Sequence, residues 1–211
     1  MNRNIEGAHP AAPELDPLAA LRSATASRHE ELDSGLPIGA VDASLADYAA
    51  HLAMLRAWLA PLQEWLAGFD DGPRFDQAAR LALLERDLGE RDMPAALQPP
   101  RSAANAANAA NAANADWPLD ASPAWRWGVC YVIEGSQLGG AVLYQRLRAR
   151  LAPHPLRYLK GDDAGPGPRW RAFMLALREH VRSPAEIAEA CDGACAAFDG
   201  ILALREQAPL R

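Results

Sequence analysis

Apolar positions recur every three to four residues along most of this chain, and no stretch shows the strict alternation of a half-buried strand. From Glu14 to Asp33, residues Leu15, Leu18, Leu21, Thr25 and Leu32 follow a helical period, and Ser34-Gly35-Leu36-Pro37 supplies glycine and proline stop signals. Ser44 to Phe69 reads as a second helix, with Ser44 as N-cap, Asp47 in the capping-box position and Pro61 as a point of kinking. Phe75 to Leu88 is a third. Ser122-Pro123 opens a long central helix running to about Leu151, and a Pro- and Gly-rich connector spans residues 153–168. A further helix covers Arg169 to Arg182. Ser183-Pro184-Ala185-Glu186 combines an N-cap, a first-position proline and a first-turn acid, so it starts a last helix ending near Glu206. The pattern predicts an all-α, single-domain bundle of about six main helices.

Two segments fall outside that pattern. Residues 1–13 are rich in Pro, Asn and Gly without periodicity and predict a disordered tail. Between Pro99-Pro100 and residue 116 lies an Ala/Asn run with asparagines at 105, 108, 111 and 114. A period of three matches neither a helix face nor a strand face, so the run reads as a low-complexity surface insertion, tolerated because loop closure costs grow slowly with length. The helical domain is then 14–211.

A net charge of -6 and a pI near 5.4 argue against a nucleic-acid binder. No run of 18 apolar residues and no signal peptide occurs, which predicts a soluble, cytoplasmic protein without a membrane partner. The cysteines, Cys130, Cys191 and Cys195, are odd in number and lack metal spacing. Cys191 and Cys195 read as small buried side chains on one helix.

The central helix carries Gly135, Gly139 and Gly140 in its interior. At about 1 kcal/mol each relative to alanine, they cost roughly 3 kcal/mol together. Gly135 and Gly139 are four apart and share one face. That face is bare of Cβ atoms, which suits the close approach of a flat, bulky group. On the first helix His29 follows Thr25 by one turn and precedes Asp33 by one turn. A single helical histidine is ordinarily a surface or satisfied core residue. Here Asp33 can accept the Nδ1 proton, which fixes the tautomer and leaves Nε2 for a metal. No Cys/His cluster and no Glu-x-x-His motif supports a zinc or di-iron centre. One protein ligand best suits a group that brings four nitrogens of its own, namely haem.

Leu21-Arg-Ser-Ala-Thr-Ala-Ser-Arg-His29 resembles the proximal-helix signature of haem oxygenases, and Tyr131-Val-Ile-Glu-Gly-Ser-Gln-Leu-Gly-Gly140 resembles their distal-helix signature. Order and separation also match, from about residue 14 to 205, with Trp170-Arg-Ala-Phe173 and Phe198 as later members. The resemblance is nearest to the bacterial, biliverdin-producing branch often found alongside bacteriophytochromes. It implies an all-α haem oxygenase fold with His29 as axial metal ligand and Gly135 and Gly139 against the opposite haem face. It also implies cleavage of haem, both substrate and cofactor, at a meso carbon to biliverdin, CO and iron. O2 and electrons from an external donor, a ferredoxin or flavoprotein, would be consumed, with a bacteriophytochrome as a receiver of product.

The expected catalytic set is Gly135, Ser136 and Gly139; the expected haem contacts are His29, Thr25, Asp33, Gly135, Gly139, Gly140, Arg171 and Arg178. One departure concerns Ser136, where the animal enzymes carry an aspartate that organises water around bound oxygen. The proton-delivery route is therefore open. Glu134 is rotated about 100° from Gly135 and is expected to point away from the haem face.

Between Arg146 and Arg182 nine basic residues face three acidic ones. They form either a solvated face or a patch for haem propionates and an acidic electron donor. Other functions share parts of this pattern. A haem-storage or haem-sensing protein would use the same pocket without turnover. A thiaminase-like hydrolase would need a nucleophilic cysteine, for which Cys130 is the one near the site. A purely structural bundle leaves the three mid-helix glycines without a purpose.

Overall fold

The computed structural model describes residues 16–72, 78–94 and 117–206. The expected tail over 1–13 and the Ala/Asn run lie outside these residues. Among the described residues there are seven α-helices and no strand: α1 Pro17–Gly35, α2 Leu45–Ala67, α3 Ala78–Leu88, α4 Pro123–Leu147, α5 Arg157–Lys160, α6 Pro166–His180 and α7 Pro184–Glu206. A single 3-10 turn, Pro37–Gly39, follows α1.

The caps set these boundaries. Asp16 caps α1, its carboxylate accepting from the Leu18 amide at 3.3 Å ahead of a first-position proline. Ser44 and Asp47 form the reciprocal capping box, each accepting the other's backbone N–H, and α2 runs on through Pro61. Ser122 caps α4, which continues unbroken through all three glycines but stops at Leu147, one turn short of the expected Leu151. The connector after it holds a one-turn helix, α5, that periodicity does not reveal. Leu156 enters it in the left-handed region at φ 50, a costly conformation for a side-chain-bearing residue. Asp87 sustains that turn. It is fully buried and accepts from the Tyr158 backbone N–H at 2.9 Å, the Tyr48 hydroxyl at 2.6 Å and Arg157 at 3.2 Å. One carboxylate thus ties α3 to α2 and α5.

α7 is the spine of the bundle and packs along both α4 and α1. The α4–α7 crossing is unusually close. A Cβ at Gly128 would overlap the Ala190 carbonyl, and one at Gly193 would overlap the Trp125 carbonyl. These two glycines compensate their helix cost by letting the backbones touch. Around the crossing sit buried Trp127, Val129, Cys130, Ile133, Ala190, Ala194 and Phe198. Two buried tryptophans have their polar edges satisfied: Trp58 donates to the Ala197 carbonyl and Trp65 to the Pro118 carbonyl, each at 3.1 Å.

Candidate functional site

α1, α2, α4 and α7, closed by α5 and Trp170 of α6, surround a cavity of about 1050 Å³. That volume is at the top of the roughly 300–1,000 Å³ range of small-molecule and cofactor sites. Arg22, Thr25, Ala26, His29 and Asp33 of α1 face it, three or four residues apart and therefore on one stripe. Opposite, α4 presents Gly135, Ser136, Gly139, Gly140 and Leu143. The two sequence motifs, about a hundred residues apart, are walls of one space.

The α4 wall is bare. A Cβ at Gly139 would meet nothing within 4 Å, one at Gly135 only the Trp170 ring at 3.8 Å, and one at Gly140 only Leu159 at 3.8 Å. Among the described residues, and unlike Gly128 and Gly193, these glycines make no close backbone packing. Their helix cost leaves a smooth backbone surface towards the cavity.

On the facing wall His29 Nδ1 lies 3.2 Å from Asp33 Oδ2, within ion-pair distance one turn along α1, and a proton held on that nitrogen would leave Nε2 as the acceptor. The imidazole rests beside Phe198, ring centroids 5.9 Å apart. Thr25 is buried and spends its hydroxyl hydrogen on the Leu21 carbonyl at 2.8 Å; Ser136 spends its own on the Ile133 carbonyl, also at 2.8 Å. Both line the cavity, yet neither keeps a hydrogen to donate into it. Among the described residues, no three His, Cys, Asp or Glu side chains converge as a metal site.

Arg171 and Arg178 stand elsewhere. Neither is on the cavity lining; Arg171 is exposed on α6, and Arg178 pairs with Asp16 at the start of α1 at 3.1 Å. The guanidinium on the lining is Arg22, two helical turns before His29 on the same stripe. That seven-residue spacing was the sequence signal for it. Much of the remaining basic cluster has structural partners. Arg146 donates to the Gly39 carbonyl, Arg150 to the Ala43 and Val41 carbonyls, and Arg157 pairs with Asp87 and Glu90.

Glu134 is off the lining, as its rotation from Gly135 requires. It is buried between Arg169, at 2.8 Å, and Arg80, at 2.7 Å. Burial would raise its carboxyl, but the hydrogen bonds from Arg169 and the charge of Arg80 outweigh it and hold the group below the usual range. Cys130 is fully buried, also off the lining, and burial pushes its thiol far up, so it has no thiolate to offer as a nucleophile. Cys191 and Cys195 are free and half-buried, less enclosed than expected. Periodicity also left His51 unassigned. It lines the cavity from α2 in a stripe with Leu55 and Trp58, its Nδ1 buried without a hydrogen-bond partner among the described residues. Burial lowers its imidazole to about 4, so it is neutral at pH 7.

A family model described as "Heme oxygenase" matches residues 16–205. The chain belongs to the haem oxygenase family. A stretch of 83 residues is 45% identical to a haem oxygenase of Xanthomonas campestris pv. campestris (strain 8004), covering 38% of this chain and half the length of that relative. The fold resembles that of the NO- and CO-bound haem oxygenase from Neisseria meningitidis, with a TM-score of 0.63 and 22% identity over 93% of this chain and 94% of that one. The all-α haem oxygenase fold expected from the two motifs is therefore the fold of this protein. Among the described residues, no helix is long and apolar enough to cross a membrane.

Proposed function

We propose that this protein is a haem oxygenase that opens haem at a meso carbon to biliverdin, CO and free iron. The observation that carries the reading is the pairing, across one cavity, of an imidazole 3.2 Å from Asp33 with a helix wall bare of Cβ atoms at Gly135, Gly139 and Gly140. A flat tetrapyrrole fits that pair. His29 Nε2 is the ligand available to a central metal, and Gly135 and Gly139 admit a planar ring against the α4 backbone. Arg22 at the lining suits a carboxylate of the ring's periphery.

Bound haem would supply both the iron that activates O2 and the carbon that is oxidised. The chain's own residues hold, orient and shield. Asp33 stands where it can hold the His29 ring in one tautomer. The apolar lining from Leu55, Trp58, Leu143, Phe198 and Ile201 disfavours water in the cavity, and the bare α4 positions would let a flat ring lie close to the backbone. Electrons come from an external donor, a ferredoxin or flavoprotein. Bacteriophytochrome is the proposed receiver of the biliverdin, in the cytoplasm.

Titrating the protein with haemin, then adding reductant in air, tests this. A sharp Soret band followed by its loss, with CO and a bilin released, is expected. A stable haem complex that survives reductant and O2 would instead make the protein a haem carrier or sensor. The thiaminase-like alternative fails on the burial of Cys130 and its position off the cavity lining.

A further inference from the structure

Tyr158, at the start of the short helix α5, occupies a position with no task in the reading above. Its side chain is buried and lines the large cavity. It also lines a second cavity of about 160 Å³, whose walls include Arg80, Gln137, Lys160, Asp162 and Arg169. Tyr158 and Leu159 are the residues the two linings share, and Tyr158 is the polar one of the two. Lys160 and Asp162 are exposed, so the small cavity opens towards solvent, and its polar walls suit water.

The hydroxyl of Tyr158 is held in a defined orientation. Gln137 Nε2 donates to its oxygen at 3.2 Å, and the backbone N–H of Tyr158 is fixed on buried Asp87 at 2.9 Å. A phenol has one hydrogen and two lone pairs. Gln137 takes one lone pair. Among the described residues no acceptor takes the hydrogen, which leaves it for whatever occupies the cavities. Burial raises the phenol above its ordinary range, so it remains a donor.

Three other hydroxyls on the large cavity are committed: Thr25, Ser34 and Ser136 donate to carbonyls of their own helix. Glu134, next to Gly135 on α4, is locked between Arg80 and Arg169 away from the lining.

We propose that Tyr158, oriented by Gln137, is a proton relay from the small cavity into the large one. A water in the small cavity gives a proton to the free lone pair of the phenol oxygen and is reprotonated from bulk solvent, while the phenol hydrogen passes to an oxygen acceptor in the large cavity. Tyr158 ends with the protons it began with, no electrons move, and one proton is carried inwards for each event. Reductive oxygen chemistry consumes such protons, so the inference rests on the haem oxygenase reading. It fills the role left open by a serine, Ser136, whose hydrogen is spent on its own helix.

The test compares the wild type with Tyr158→Phe and Gln137→Glu as ferric haem complexes. Tyr158→Phe removes the relay. Gln137→Glu leaves the hydroxyl but offers it a carboxylate, which draws the phenol hydrogen away from the large cavity. Both variants are expected to bind haem as the wild type does and to turn over at least about tenfold more slowly, a general acid being worth roughly 100-fold or more. Both should also alter the solvent deuterium isotope effect. In the ferric fluoride complex, the charge-transfer band, which moves to longer wavelength with hydrogen bonding to fluoride, should shift to shorter wavelength in both. Variants that match the wild type in rate, isotope effect and band overturn the relay while haem oxygenase activity stands. Slower turnover with an unshifted band and an unchanged isotope effect also overturns it, giving Tyr158 a packing role. A wild type that binds haem without degrading it overturns the oxygenase reading, and the relay with it.

Discussion

Gly128 lies so close to the carbonyl of Ala190 that no side chain fits between α4 and α7 at that point, whereas eleven residues further along the same helix Gly139 faces open space. The two glycines have the same propensity and opposite purposes, and substitution should separate them. Alanine at Gly128 or Gly193 must push two backbones apart and is expected to cost roughly 1–3 kcal/mol or more. Alanine at Gly139 meets nothing and should stabilise the haem-free protein by up to about 1 kcal/mol through helix propensity. Thermal melts of the haem-free variants check this; a Gly139→Ala protein that melts as early as Gly193→Ala would contradict it.

The empty space before Gly139 should matter once haem is present. Leucine at Gly135 or Gly139 is expected to weaken haem binding and to slow turnover by about 100-fold, the scale of an ångström of misplacement. Haem titration of both variants reads the effect, and normal affinity with normal turnover in both would return these glycines to a packing role.

His29→Ala should remove the ordinary Soret spectrum and turnover together, with added imidazole partly restoring both. Asp33→Ala keeps the ligand and loses its orienting partner, so a smaller fall, about 10- to 100-fold in affinity or rate, is expected. Since both side chains are largely exposed, Asp33 contributes through orientation rather than through charge. An Asp33→Ala protein indistinguishable from the wild type would show the 3.2 Å contact to be incidental.

Most of the architecture is legible in the sequence because the helices announce their own ends. Ser44 with Asp47, and Ser122 with Pro123, are local signals, and local signals survive folding. What remained hidden depends on which helices meet. The roles of Gly128 and Gly193 exist only at the α4–α7 crossing. The one-turn helix α5 depends on a buried carboxylate seventy residues earlier, Asp87, and no periodicity could show it. His51 faces the cavity because of how α2 packs, while Arg22 was readable as the residue two turns before His29.

His51 gives the haem-free protein a pH signature. Its imidazole is lowered from an ordinary 6.5 to about 4, so the unfolded chain takes up a proton over that interval before the folded one does. The stabilisation is complete above about pH 6.5, falls as the pH drops to about 4, and changes no further below that. The loss from this one group is up to about 3 kcal/mol. Denaturant unfolding at pH 7.5 and 4.5 should show a smaller decline for His51→Phe than for the wild type. Equal declines would mean that His51 stays hydrated.

The basic residues that looked like one cluster should divide by location. Arg22 is on the cavity wall, Arg171 is exposed on α6, and Arg178 is paired with Asp16. A guanidinium bonded to a carboxylate contributes about 1.5–3 kcal/mol, so Arg22→Glu is expected to weaken haem binding roughly 10- to 100-fold. Arg171→Glu should leave haem affinity unchanged. If α6 meets an acidic donor, the same change slows donor-driven turnover and flattens its dependence on salt, because long-range steering is screened within about 10 Å at moderate ionic strength. Arg178→Glu adds a like charge beside Asp16, the N-cap of α1, and should cost a little stability besides, since that pair is nearly half exposed. Haem titrations, melts and donor-driven rates at two salt concentrations distinguish the three. If Arg22→Glu binds haem normally while Arg171→Glu does not, the assignment of the cavity's carboxylate partner is reversed, and α6 must move against α4 when haem enters.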